Sequence, residues 1–241
     1  MIKIRIRFRK FGVMKFIGHL DIMRYFQKAM RRSEIDICYS EGFSPHQIMS
    51  FAAPLGVGIT SDGEYLDIEV NTTRSTEASI KALNDTMVEG IEITGYIKLD
   101  EHAKTAMSVV AAADYDLSFK EGYEIPATLH EFQEGIRCFF TEPQEVLITK
   151  QTKKSEKVID LKQLVYEFHV KEQEGKPYFY IKLSTGSTDN LKPELVTASL
   201  FESMGLSYDE NAIQIHRRDV YAQNQDGTGF LSLGEMGTTI Q

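Results

Sequence analysis

The sequence predicts an α+β chain of two ferredoxin-like (βαββαβ) units in tandem, and three observations carry that prediction. Residues 2–9 alternate strictly, with Ile2, Ile4, Ile6 and Phe8 against Lys3, Arg5, Arg7 and Arg9, which is the period of a strand. Residues 18–32 switch to helical spacing, and the strand and helix order then recurs along the chain. At 241 residues the chain is long enough for two domains, each with its own core.

After the first strand, Gly12 marks a turn, and Gly18-His19 opens a helix with Leu20, Met23, Phe26, Ala29 and Met30 as its apolar face. Asp21, in its first turn, reads as a complement to the helix dipole and a partner for Arg24 or Lys28. A strand is expected over 35–40, a loop over 41–46 punctuated by Gly42 and Pro45, and an extended piece over 47–55. Residues 63–70 alternate again, with Tyr65, Asp67 and Glu69 on the outer face, followed by a helix over 75–87 and a strand over 91–99. These form the first unit, residues 1–102.

The small-residue stretch 103–113 breaks the pattern and is expected as a linker. The second unit, 114–223, reads as a strand at 115–119, a helix over 126–140, and a hairpin over 145–161 whose tip carries Lys153, Lys154, Ser155, Glu156 and Lys157. Strands at 164–170 and 178–183, a helix over 193–204 and a strand over 213–221 complete it. The glycine-bearing tail, 224–241, is expected to be weakly ordered unless docked.

Charge is divided unevenly. The chain has a net charge of −8, yet residues 1–50 hold ten Lys/Arg and four Asp/Glu, so the amino-terminal block is positive. That asymmetry points to an anionic partner, with nucleic acid first. In a ferredoxin-like unit both helices cover one sheet face, and the other face is free to stack bases on aromatic side chains. Lys3, Arg5, Arg7 and Arg9 are expected there, with Tyr65 and Tyr96 as stacking surfaces, and Arg24, Lys28, Arg31 and Arg32 as a second row along the helix. Lys153 and Lys154 add a basic spot at the hairpin tip. The competing expectation is that Asp67 and Glu69, on the neighbouring strand, already neutralise the row.

Several classes are disfavoured. Cys38 and Cys138 are far apart and lack CxxC or CxH spacing, which argues against a zinc site, a disulfide framework or an iron–sulfur cluster and for reduced cytosolic thiols. No apolar leader core or membrane-length run is present, so the expectation is a soluble cytoplasmic protein without membrane contact. No phosphate-binding loop or nucleophile elbow occurs. No metal or cofactor is expected, since Asp21 follows His19 by two residues and diverges from it on a helix. His19 and His46 are the candidate catalytic residues, as an acid and base pair for metal-independent RNA cleavage, set against structural roles for both.

The motifs Phe16-Ile17-Gly18-His19-Leu20-Asp21, Tyr39-Ser40-Glu41-Gly42-Phe43-Ser44-Pro45-His46, Pro54-Leu55-Gly56-Val57-Gly58 and Gly63-Glu64-Tyr65-Leu66-Asp67 resemble the bacterial radical-SAM-linked protein family of unknown function. The resemblance implies genomic company with, or fusion to, a radical SAM protein and an accessory role in RNA or ribosome-related modification. Three readings follow. The first is a non-catalytic protein that binds or presents tRNA or rRNA to a radical SAM enzyme; the second is an endoribonuclease using His19 and His46; the third is a protein-interaction module that binds no RNA.

Overall fold

The computed structural model describes residues 1–151, 156–186, 189–224 and 226–241, and of residues 150 and 151 the backbone alone. It is a mixed α+β chain with two compact units, residues 1–112 with 217–241 and residues 113–216. Among the described residues no helix is long and apolar enough to cross a membrane.

The first unit contains β1 (Ile2–Lys10), α1 (His19–Arg32), β2 (Met49–Phe51), β3 (Thr60–Val70), α2 (Thr76–Asn84), β4 (Ile91–Lys98) and the short turn α3 (Ala106–Val109). β1 lies between β4 and β3, antiparallel to both, and β2 adds to β3 with Ser50 opposite Asp67. The even positions of β1 and the apolar positions of β3 meet α1 in a core that includes Ile4, Ile6, Phe8, Phe26, Met30 and Leu66. Phe8 and Phe26 rings sit 4.7 Å apart. α1 buries Ile22, Phe26, Ala29 and Met30, a helical i, i+4, i+7, i+8 stripe. Leu20, expected on that face, is instead 62% exposed. The strand expected over 35–40 is reduced to isolated bridges, Ile37 to Val70 and Tyr39 to Gln47.

Residues 103–113, expected as a linker, hold α3 and the start of β5 (Val110–Phe119). The chain passes between the units within β5 and again within β10 (Ile213–Gln223). The expected weakly ordered tail is docked on the first unit. β11 (Phe230–Ser232) pairs with the end of β10, Thr238 bridges to Lys98 of β4, and the Thr76 amide at the start of α2 donates to the Ile240 carbonyl at 2.9 Å. Buried Leu233 anchors the turn between them.

The second unit orders its strands β10-β5-β9-β8, using the first residues of β10. β8 (Val165–Gln173) and β9 (Lys176–Ser184) form an antiparallel hairpin whose turn places Glu174 and Gly175 at positive φ. α4 (Leu129–Ile136) starts with a reciprocal cap between Thr128 and Glu131, and α6 (Pro193–Ser203) has proline in its first turn. Phe119, Phe132, Phe179 and Phe201 fill the core, with Phe132 edge-on to Phe179 at 5.0 Å. The hairpin of β6 (Leu147–Gln151) and β7 (Glu156–Asp160) forms its own two-stranded sheet, and α5 (Leu161–Leu164) follows it.

Candidate nucleic-acid interface

The helix α1 carries a row of accessible cations. Arg24, Lys28, Arg31 and Arg32 are all on its solvent-facing side, and the i, i+4, i+7 spacing of the first three sets them on one stripe. Arg24 pairs with Asp21 at 3.1 Å, but both side chains are about two-thirds exposed, so the pair competes with water and contributes little. Arg32 donates to the Thr86 carbonyl at 3.2 Å and lies over the Tyr25 ring.

The loop 39–47 packs beside this stripe. Gln47 is buried and its amide donates to the Gln27 carbonyl at 3.2 Å and toward the Tyr39 hydroxyl at 3.4 Å. The Gln47 amide and then the Arg31 guanidinium stabilise the Tyr39 phenolate, lowering that hydroxyl's pKa. The loop closes through the Ser40 amide on the His46 carbonyl at 2.9 Å and the Ser40 hydroxyl on His46 Nδ1 at 2.8 Å. Gly42, at φ +109, turns the chain so that Phe43 stands fully in solvent. Tyr39 is 47% exposed. The first unit thus sets the half-exposed Tyr39 ring beside Arg31 of the cation row.

The strand cations are placed differently from the expectation. Arg5 is 1% exposed, with Nε on Asp67 Oδ1 at 2.8 Å, Nη2 on Asp67 Oδ2 at 3.0 Å and Nη1 on the Leu233 carbonyl at 3.3 Å. The docked carboxy-terminal turn covers the face that was expected to be free, so Arg5 is out of reach of any polyanion. Arg7 reaches Asp219 at 3.2 Å, Arg9 reaches Asp62 at 2.7 Å and Glu92 at 2.9 Å, and Lys3 donates to the Ala103 carbonyl at 3.0 Å. Register explains part of this, because the ladder sets Arg5 opposite Asp67 and Lys3 opposite Glu69. Tyr65 and Tyr96, expected as stacking surfaces, are each 1% exposed and offer no face to a base. Lys153 and Lys154 lie outside the described residues.

His19 and His46 are placed in separate surroundings. His19 is edge-on to Phe51 at 5.2 Å and lines a cavity of about 20 Å³ with Lys10 and Glu64, whereas His46 is tied to Ser40 in the loop. No described cavity or hydrogen bond joins the two. Among the described residues, no cluster of three metal-ligating side chains occurs. Cys38 is buried and Cys138 exposed, both free thiols.

The model of a bacterial family described as an uncharacterised protein conserved in bacteria (DUF2344) matches residues 3–193. The chain belongs to this family. No curated protein matches it. Among solved structures, a chain of a Cbf5-Nop10-Gar1 complex is similar at 11% identity, covering 90% of this chain and 48% of that one, with a TM-score of 0.48. An unknown protein from Galdieria sulphuraria is similar at 10% identity over 90% of this chain and 96% of that one, with a TM-score of 0.24. The chain spans about half the length of the first of these.

Sequence reasoning missed a second polar network of this DUF2344 protein. Lys10 is buried, with Nζ 2.7 Å from the Ile17 carbonyl, and burial pushes its pKa down. Glu64 and Arg217 form a buried pair, with Arg217 Nε 2.8 Å from Oε1, and Arg217 also donates to the Ala53 carbonyl at 3.0 Å. The signal was parity: Lys10 continues the even, inward positions of β1, and Arg217 continues Ile213 and Ile215 on β10. The network ties down the turn 15–17, which leads into α1. A third feature is the cavity of about 390 Å³ beside β4, where Arg7, Tyr65, Asp219 and Ser232 meet.

Proposed function

We propose that this protein is a non-catalytic RNA-binding module that presents tRNA or rRNA to a radical SAM enzyme, and that each unit is a variant of the ferredoxin-like frame. The observation that supports the reading is the surface of the first unit formed by Lys28 and Arg31 on α1 with Tyr39 and Phe43 on the adjoining loop. Cations there contact phosphate while the two rings stack on unpaired bases, the division of labour that single-stranded sites use. The cations on β1 are secondary in this reading: Arg5 is sealed, Lys3 is held by the Ala103 carbonyl, Arg7 by Asp219, and Arg9 by two carboxylates at once. The partner half of the proposal draws on the family resemblance and on exposed Val13, Phe16 and Leu20, an apolar surface at the start of the same helix.

The test is ultraviolet crosslinking of the protein to labelled tRNA and rRNA fragments, followed by mapping of the crosslinked peptide. Crosslinks on residues 39–46 that disappear in Tyr39→Ala and Phe43→Ala support the reading. Binding that crosslinks elsewhere, or no binding at low salt, overturns it, and the second outcome leaves a protein-interaction role.

A further inference from the structure

We propose that the cavity beside β4 is a binding site for a small hydroxylated oxyanion with the size and chemistry of a phosphorylated sugar. Its volume of about 390 Å³ lies within the range of small-molecule sites. It belongs wholly to the first unit and uses none of the α1 cations.

The site is built by an irregularity in the sheet. The β1–β4 register runs from Arg7 opposite Gly95 to Phe8 opposite Ile93, which leaves Thr94 as an extra residue in a bulge. Bulges bend a strand and re-aim its side chains, and they recur beside functional sites. Gly95 makes room there: a Cβ on it would lie 3.1 Å from the Cβ of Arg7, tighter than ordinary contact. The Arg7 side chain therefore runs across the bulge and lines the cavity, with its guanidinium 6.0 Å from the centre of the Tyr65 ring.

The polar groups then define the ligand. Arg7 Nη2 reaches Asp219, but Nε is buried and has no acceptor among the described residues. A cationic donor left without a partner is costly, and an oxyanion fits the guanidinium fork. Asp219 is committed elsewhere as well, accepting from the Tyr65 hydroxyl at 2.6 Å and the Ser232 hydroxyl at 2.9 Å. Glu235 also lines the cavity. A carboxylate there repels a bare anion but accepts hydrogen bonds from hydroxyls, and Thr94, which also lines the cavity, provides a further hydroxyl partner. An oxyanion at one end and hydroxyls at the other satisfy both charges.

Isothermal titration of the full chain with ribose 5-phosphate, inorganic phosphate and ribose as separate probes tests the site. Ribose 5-phosphate is expected to bind saturably and more tightly than either fragment. Arg7→Gln should weaken it about 10- to 100-fold, the loss of one charge-assisted hydrogen bond. Glu235→Gln should weaken ribose 5-phosphate and strengthen inorganic phosphate, a reversal that partial unfolding does not produce. Gly95→Ala, which leaves every polar group in place, should weaken ribose 5-phosphate by displacing Arg7. No saturable heat with any probe overturns the proposal, as does equal binding by wild type and Arg7→Gln, or phosphate affinity unchanged in Glu235→Gln. RNA binding is expected to be the same in all of these variants.

Discussion

Removing Asp67 removes the only carboxylate hydrogen-bonded to Arg5 among the described residues and leaves a guanidinium buried without its counter-charge. Arg5 makes two bonds to that carboxylate, at 2.8 and 3.0 Å, and the Ala106 amide donates to the same group at 2.6 Å. Breaking a buried pair from one side costs about 3–5 kcal/mol, against about 0–1 kcal/mol for an exposed pair such as Arg24 with Asp21. Asp67→Ala should therefore lower the urea midpoint by about 1–5 M, given a slope of roughly 1–3 kcal/mol per M, while Asp21→Ala leaves it nearly unchanged. Far-ultraviolet circular dichroism follows both transitions. The double variant Arg5→Met/Asp67→Leu should recover most of the loss, because two apolar side chains leave no buried charge. A loss below about 1 kcal/mol in Asp67→Ala would show that Arg5 is hydrated and would refute the sealed face.

Other substitutions test the frame. A Cβ on Gly63 would lie 2.6 Å from the Arg218 carbonyl and 2.7 Å from the Asp219 Cα, both backbone atoms, so Gly63→Ala should cost about 1–3 kcal/mol in the same urea assay. Thr128→Ala removes the reciprocal cap of α4 and should cost about 1 kcal/mol, with Thr128→Ser retaining most of it. Burial, reinforced by Glu194, raises the pKa of the Tyr208 hydroxyl above its ordinary value of 10.0, and the oxygen has no partner among the described residues. For a phenol whose folded pKa is raised, the contribution is fully present below pH 10.0 and is lost as the pH rises through the folded value, since the unfolded chain ionises first. Tyr208→Phe should thus gain about 1 kcal/mol at neutral pH and flatten the alkaline fall in stability.

The alternating strands β1, β3 and β4 were legible because a period of two is written locally, and α1 because its cations and apolar residues repeat every three to four positions. The apolar face was misplaced at its start: Leu20 is exposed and Ile22 is buried, since the inward stripe runs through 22, 26, 29 and 30, and a residue two positions before Ile22 lies off it. Arg5's neighbour Asp67 was visible as a cross-strand partner. Its sealing was not, because the cover comes from Leu233 and Met236, more than 220 positions away in a segment whose glycines resemble a loose tail. Glycine there has a different use: Gly234 and Gly237 approach Tyr65 and Lys98 so closely that a Cβ would lie about 3 Å or less from them. The cavity beside β4 was equally hidden, since a bulge at Thr94 leaves no mark on the hydrophobic pattern.

The most direct measurement is the salt dependence of RNA binding for wild type, Lys28→Glu/Arg31→Glu and Arg9→Glu. On a single strand, each phosphate that a variant no longer neutralises should reduce the slope of log affinity against log salt by about 0.7. The slope should be smaller by about 1.4 in the α1 double variant and unchanged in Arg9→Glu. An equal slope in wild type and the double variant, or a reduction confined to Arg9→Glu, would contradict the assignment of the interface to α1.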